Sequence, residues 1–420
     1  MPLELDDADR AMLAGDEGEA AAMAMRIVAE TAEAMRAPRL LDVSRAHVDG
    51  CLYHGRAGLD FAERLAAAGG RTRVPTTLNV ASLDLLHPGL VRLDAETATL
   101  ARRLMDAYVA IGCRPTWTCA PYQLEDPPAF GEQIAWAESN AIVFANSVLG
   151  ARTERYGDFI DVCCAITGRA PAVGLHTDEG RRAVLLVRVR GASEELLRSS
   201  AGLAALGHLV GAAADHGVPA IDGLPPGVSR DGLKALGAAA ASSGAVAMVH
   251  VVGSTPEAPS VEAASGGAAP GRVVEVGPAD LRRARDELST HAAGTIAAVA
   301  LGTPHASAEE LDRIAALLAD GPRPVVPCSV NTARGVLAET SGRTLDTLRD
   351  AGVTVVTDTC TYLTPILGGL AGPVMTDSAK WAWYAPANLG YGTVFGTTEE
   401  CLRSAAAGRV VRDERLWGEA

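Results

Sequence analysis

The sequence predicts an α/β protein made of several parallel-sheet subdomains. Three observations lead there. Short β-branched or apolar runs alternate with helical stretches along the whole chain, the pattern of strands returned in parallel by crossover helices. Polar, chemistry-bearing loops follow those runs, where open α/β sheets gather their ligands. A length of 420 residues exceeds one ordinary core, so two or three domains are expected.

Composition narrows the class. Hydrophobic residues make up 48% and charged ones 21%, which fits a folded enzyme and excludes wholesale disorder. Aromatics are only 4%, so Ala, Val and Leu must build the core. A formal charge of −14 argues against a nucleic-acid partner, because neutralising phosphates needs a basic face. No run of about 18 apolar residues is present, so no membrane partner is expected. The acidic start (LELDDADR) is unlike a signal peptide, and a cytoplasmic location is expected. The eight cysteines then read as core, metal-binding or reactive thiols rather than a disulfide frame.

Taken in order, Glu19 to Met35 is an Ala/Met-rich helix, and Leu40 to Val43 a short strand running into SRAHVDGCLYHG. This places His47, Asp49, Cys51 and His54 just past a strand end. After a helix over Asp60 to Ala68, a strand at Arg73 to Pro75 leads into TTLNVASLD, with Thr76, Asn79 and Asp84. Both loops also read as ordinary solvated turns with capping residues. The helix Ala95 to Ile111 then leads into GCRPTWTCAPYQLEDPP, a loop shaped by prolines that carries Cys113 and Cys119.

From Phe130 to Thr153 a helical pattern bears Glu132, Glu138, Ser139, Asn140, Asn146, Ser147 and Arg152 scattered through apolar residues, as in a lined site. GLHTDEGRR follows, where His176, Arg181 and Arg182 could hold a carboxylate or phosphate or simply form a charged loop. Strands at Ala183 to Val189 and Ala245 to Val252 flank helices over Ser193 to Asp215 and Arg230 to Ser242. The Ala/Gly/Ser/Pro-rich run from Ala258 to Gly271 reads as a flexible connection. The strand Thr295 to Leu301 ends in GTPHASAEEL, whose Ser307 and Glu310 form a capping box. Strands at Val353 to Val356 and Thr393 to Phe395 and a helix over Thr398 to Ala407 complete the series. Subdomains are expected at 1–165, 166–285 and 286–420.

No GxGxxG follows the first strand and no P-loop occurs, so the usual glycine-rich nucleotide cradle is unsupported. Cys119, Cys328 and Cys360 each end a strand or loop in polar surroundings. Thiolates at such spacing can hold an iron–sulfur cluster, or they are plain buried cysteines.

The motifs TCAPYQ, GEQIAWAESNAIVFANSVLGART, AITGRAP, GLH with Arg181 or Arg182, HVVGSTPEA, GTPHAS, DTC and DSAKWAWY stand in one order. In this the chain resembles the aconitase X family over nearly its whole length. The resemblance implies a catalytic subunit with aconitase-like α/β subdomains around a central cleft. It also implies loss of water from a small β-hydroxy carboxylate at an iron–sulfur cluster. cis-3-Hydroxy-L-proline is the first substrate to consider, then mevalonate 5-phosphate or a specialised metabolite. A non-catalytic subunit that binds a small acid or a partner is the reading from another class.

Under the resemblance, Cys119 and Cys360 are cluster ligands. Thr303 stands where some relatives carry cysteine, which leaves Cys328 as the third ligand or else a smaller or atypical cluster. His47, Glu138, Asn140, Ser147 and Lys380 become catalytic candidates. Asn79, Arg152, His176, Arg181, Arg182, His305 and Ser378 become substrate-binding candidates. The swivelling domain of aconitase-like enzymes has no counterpart in the chain and is expected from a small separate subunit.

Overall fold

The computed structural model describes residues 3–418. It forms two compact units: residues up to Leu83 with Leu93–Arg182, and Asp84–Arg92 with the chain from Ala183 onward.

In the first unit β1 (Leu40–Asp42) pairs antiparallel with β5 (Arg169–Pro171). The other strands, β2 (Ala46–Val48), β3 (Thr76–Leu78) and β4 (Ala135–Trp136), form a parallel sheet in the order β3-β2-β4. Arg114 extends it by a parallel bridge to Thr77. His47 therefore lies within a strand, not in a loop past Leu40 to Val43, because that first run pairs elsewhere. The strand expected at Arg73 to Pro75 begins one residue after the proline. Pro75 has no N–H for the ladder and contributes only its carbonyl, which accepts from Ala46 N at 3.0 Å.

The stretch from Phe130 to Thr153 is not one helix. It holds β4, a short helix Ser139–Phe144 and a π turn Ala145–Leu149 that ends at Gly150, where φ is +71°. Polar side chains that would be scattered on a regular helix are thereby aimed by three different backbones. The expected boundary after residue 165 falls inside the helix Ile160–Thr167, and the unit runs on to Arg182.

The second unit contains two parallel sheets. One, ordered β8-β7-β6-β9, comprises β6 (Leu185–Val189), β7 (Pro219–Asp222), β8 (His250–Val251) and β9 (Arg272–Val276). Helices Ser200–Ala214 and Arg230–Ser243 pack closely, and Gly207 allows it: a Cβ there would meet the Leu236 carbonyl oxygen at 2.2 Å. Only two residues of the strand expected at Ala245 to Val252 pair. The run from Ala258 to Gly271, expected as a flexible connection, includes a helix, Val261–Ala264, capped by the Ser260 hydroxyl. The boundary expected after residue 285 cuts the helix Pro278–Glu287.

The other sheet is ordered β12-β11-β10-β13-β14: β10 (Ala298–Ala306), β11 (Cys328–Thr332), β12 (Val353–Val356), β13 (Val374–Thr376) and β14 (Thr393–Phe395). Val299, Leu301, Leu311, Ile314, Val330 and Leu348 belong to its core. The β10–β11 register shifts between Leu301 and Ala306. Gly302 makes this possible: it has φ +75°, and a Cβ would lie 2.3 Å from the Asn331 carbonyl oxygen. The bulge carries the cis Thr303–Pro304 bond and turns out His305.

Candidate functional site

In the first unit, Glu138 caps the helix Ser139–Phe144. Its carboxylate accepts from Ala141 N at 2.7 Å and from the Asn140 amide. Asn140 Nδ2 in turn donates to the Cys119 carbonyl at 2.8 Å, and Tyr122 donates to Asn140 Oδ1 at 2.6 Å. Tyr122 stacks on Phe144 with ring centroids 3.8 Å apart. Glu138, Asn140 and Tyr122 thus fix the backbone of the Cys119 loop. Ser147 is buried within the π turn, a distortion common at functional sites.

Three of the expected anion-binding groups are otherwise engaged. The buried Arg181 guanidinium donates to Asn146 Oδ1 (3.0 Å), the Asn146 carbonyl (2.9 Å) and the Leu175 carbonyl (3.0 Å). His176 bonds Gln133 Oε1 through Nδ1 (2.6 Å) and the Tyr156 hydroxyl through Nε2 (2.5 Å). Burial, with Arg181 and Arg152 adding to it, holds its pKa down to about 3, so it offers an anion no charge. Arg152 donates to the His176 carbonyl and pairs with exposed Asp178. These residues brace the GLH loop. Arg182 is exposed.

His47 is fully buried. Its Nδ1 meets Thr77 Oγ1 at 2.8 Å, and its ring tilts against Trp136 at 5.8 Å. Burial holds it neutral with a pKa of about 3, the Thr118 backbone opposing. Asn79 donates to the Asp49 carboxylate beside it.

The second unit brings together the GTPHAS and DTC loops. A ring nitrogen of His305 and Cys360 Sγ lie within 4.8 Å, both side chains buried. His305 Nε2 faces the Thr359 carbonyl at 3.1 Å and donates its proton there. Asn331 ties the two loops. Its Nδ2 reaches the Leu301 carbonyl (3.1 Å) and Thr303 Oγ1 (3.1 Å), and its Oδ1 accepts from Thr361 N (3.2 Å). Asp358, two residues before Cys360, has φ +61°, a strained value for a non-glycine residue. A bidentate Arg334 at 2.8 and 2.6 Å and the Leu85 N–H at 3.0 Å hold it there.

Cys328 does not join this pair. It lies in β11 within the hydrophobic core, where burial, with Asp377 adding to it, pushes its thiol up to about 12. It is packed among Val and Leu there, and the donor beside Cys360 is His305.

A cavity of about 50 Å³ lies beside the GTPHAS bulge. Thr303, Ser378, Lys380, Asp377, Lys234 and Glu310 are among its lining residues. Ser378 caps the helix Ala379–Leu389, accepting from Trp381 N at 3.0 Å. Lys234, only 3% exposed, contacts Asp231 at 2.9 Å, Glu310, and the His305 carbonyl at 3.4 Å. Burial works against its ammonium, but the Glu310 and Asp231 carboxylates outweigh it, so its pKa rises. Burial lifts the Asp377 carboxyl to about 6, against a hydrogen bond from Thr398. The sequence reading missed Lys234, Asp231, Asp377 and Asn331. Only the Asp231–Lys234 spacing of three on a helix hinted at a pair.

No described helix is long and apolar enough to cross a membrane. All eight cysteines are outside disulfides.

Comparison with known proteins converges on one family. The aconitase X first, second and third domains match residues 2–179, 183–286 and 296–407. A cis-3-hydroxy-L-proline dehydratase of Pseudomonas aeruginosa is 46% identical over 96% of this chain and 70% of its own length. A phosphomevalonate dehydratase large subunit of Methanothermobacter thermautotrophicus is 39% identical over 95% and 98%. The crystal structure of Thermococcus kodakaraensis aconitase X in its holo-form superposes with a TM-score of 0.86 at 31% identity, covering 96% of this chain and 100% of that one. The chain belongs to the aconitase X family of hydro-lyases.

Proposed function

We propose that the chain is the catalytic subunit of a dehydratase that removes water from cis-3-hydroxy-L-proline. Cys360 and His305 would hold an iron–sulfur centre, with Cys119 the further ligand that the family resemblance assigns. The observation that carries this reading is the buried thiol–imidazole pair joining the GTPHAS and DTC loops, in a chain 46% identical to a dehydratase of that name. Soft thiolates with an imidazole suit iron, so the donor set fits such a centre. When bound, the centre supplies a Lewis acid for the departing hydroxyl.

The chain's own residues do the rest. Lys380, beside Ser378, offers its ammonium to the substrate carboxylate and stabilises charge that develops as the α-proton leaves. Asn140 and Glu138 keep the Cys119 backbone in place, and Asn331 does the same for the two loops that present His305 and Cys360. Ser147 remains the polar candidate in the π turn for orienting substrate. His47, fully buried, is given no proton-transfer role.

Phosphomevalonate is the second substrate, favoured by the 39% identity to the archaeal large subunit. The words "large subunit" imply a smaller partner there, and we extend that arrangement to this chain. The reducing cytoplasm is the compartment that suits eight cysteines outside disulfides.

The test is anaerobic purification with the candidate small subunit, assay of iron and acid-labile sulfide, and NMR in deuterated buffer with each substrate. Wild type is expected to hold iron and convert the hydroxyproline, and Cys119→Ser and Cys360→Ser to lose iron. Full iron in both variants rejects the ligands. Turnover of phosphomevalonate alone reverses the substrate order, and inertness with a full iron complement rejects both substrates.

A further inference from the structure

We propose that a cavity in the first unit, walled by Arg45, Arg114, Thr72, Thr77 and Trp136, binds a small oxyanion, a carboxylate or a phosphate. The parallel register puts Arg114, Thr77, His47 and Trp136 on one rung: Thr77 bridges Arg114, and His47 pairs with Thr77 on one side and Trp136 on the other. In-register residues of parallel strands project from the same face. The contacts agree, since His47 bonds Thr77 and its ring meets Trp136. Thr77, Arg114 and Trp136 line a cavity of about 260 Å³ over this rung, a space suited to an ion or very small acid.

The charges decide the ligand. Arg45 is already committed, at 2.6 Å to Glu132 and 3.2 Å to Asp126, the one acid on the cavity wall. Arg114 has no acidic partner among the described residues, so one positive charge is left over. The Trp136 indole N–H is buried and has no partner among the described residues. A wall with a spare guanidinium and a spare N–H, its acid already paired with Arg45, matches a ligand that accepts hydrogen bonds. A metal ion has no such match, because the only carboxylate on the wall is spent on Arg45. His47 contributes as a neutral support that fixes the Thr77 hydroxyl. None of the wall residues is among those assigned to dehydration above.

The experiment titrates inorganic phosphate and, separately, acetate into the intact protein at low ionic strength, by calorimetry and tryptophan fluorescence. Saturable binding of at least one anion is expected, and the stronger of the two identifies the phosphate or carboxylate class. Arg114→Gln, at an exposed position that leaves the fold intact by circular dichroism, is expected to weaken it at least tenfold. Arg114→Lys should recover part of the loss. Trp136→Phe should remove the fluorescence response. Equal affinity in wild type and Arg114→Gln overturns the proposal, as does wild type that shows no saturable binding of either anion.

Discussion

His47 in the first unit and Lys234 in the second are both buried nitrogen bases, 0% and 3% exposed, yet they settle in opposite charge states. Burial disfavours the charged form of each. Around His47 are a hydroxyl, a backbone group and an indole, none of them an anion, so the ring is neutral. Around Lys234 stand Asp231 and Glu310, and the ammonium persists. Partners, and not depth, decide whether a buried base keeps its proton.

The largest expected effect comes from breaking the Lys234 side of that contrast. Lys234→Met leaves two half-buried carboxylates without their buried cation and is expected to cost up to about 3–5 kcal/mol. Urea denaturation measures it. A loss below about 1 kcal/mol would mean that the acids relax to water and that the ion triad holds little. Adding Asp231→Asn and Glu310→Gln to the variant should recover much of the loss.

The His47 side is sharpened by pH. Its folded pKa of about 3 lies below the ordinary value of 6.5, so below pH 6.5 the unfolded chain takes up a proton that the folded one refuses. Stability from this group is complete above pH 6.5 and declines as pH falls toward 3, by about 2 kcal/mol between pH 7 and pH 5. His176 adds a second slope of the same sign. His47→Gln should flatten the wild-type dependence by that amount, read from urea midpoints at pH 7, 6 and 5. An unchanged slope would show that His47 takes up its proton as readily in the fold as in the unfolded chain.

The smallest effect carries the contrast to thiols. Cys328 lies in the core with its thiol held neutral, whereas Cys360 lies beside His305. Cys328→Ala is expected to cost about 1–2 kcal/mol by cavity formation and to leave iron content unchanged. Iron loss in this variant would return Cys328 to the ligand set.

Much of the second unit was legible in the sequence. Ser307 and Glu310 form the capping box that their spacing announces, and the helix Thr398–Ala407 has the expected bounds. That Glu310 also grips Lys234 could not be read, because 76 residues separate them and only the fold joins them. The fourfold rung was equally hidden. Arg114, Thr77, His47 and Trp136 share a face by strand register, which no local pattern encodes. His176 and Arg181, read as an anion grip or a charged loop, turn to protein neighbours for a related reason. Residue type says what a side chain is able to bind, and burial and neighbours decide whether it is already bound.

The excursion of Asp84–Arg92 has a consequence for how the protein is made. The chain leaves the first unit at Leu83, returns at Leu93 and leaves for good after Arg182, so the units are sewn together by three passages. Asp84 is buried, and its carboxylate accepts from Thr357 N at 3.0 Å and the Thr357 hydroxyl at 2.9 Å, 273 residues further on. On the ribosome this nine-residue loop emerges early and waits, at roughly 5–20 residues per second, for about a quarter of a minute or longer before its seat exists. The first unit can therefore be complete while its loop still hangs in water. The second closes only when the far end of the message has been read, so a nascent chain stalled before Thr357 carries a finished first half and an acid with nowhere to dock.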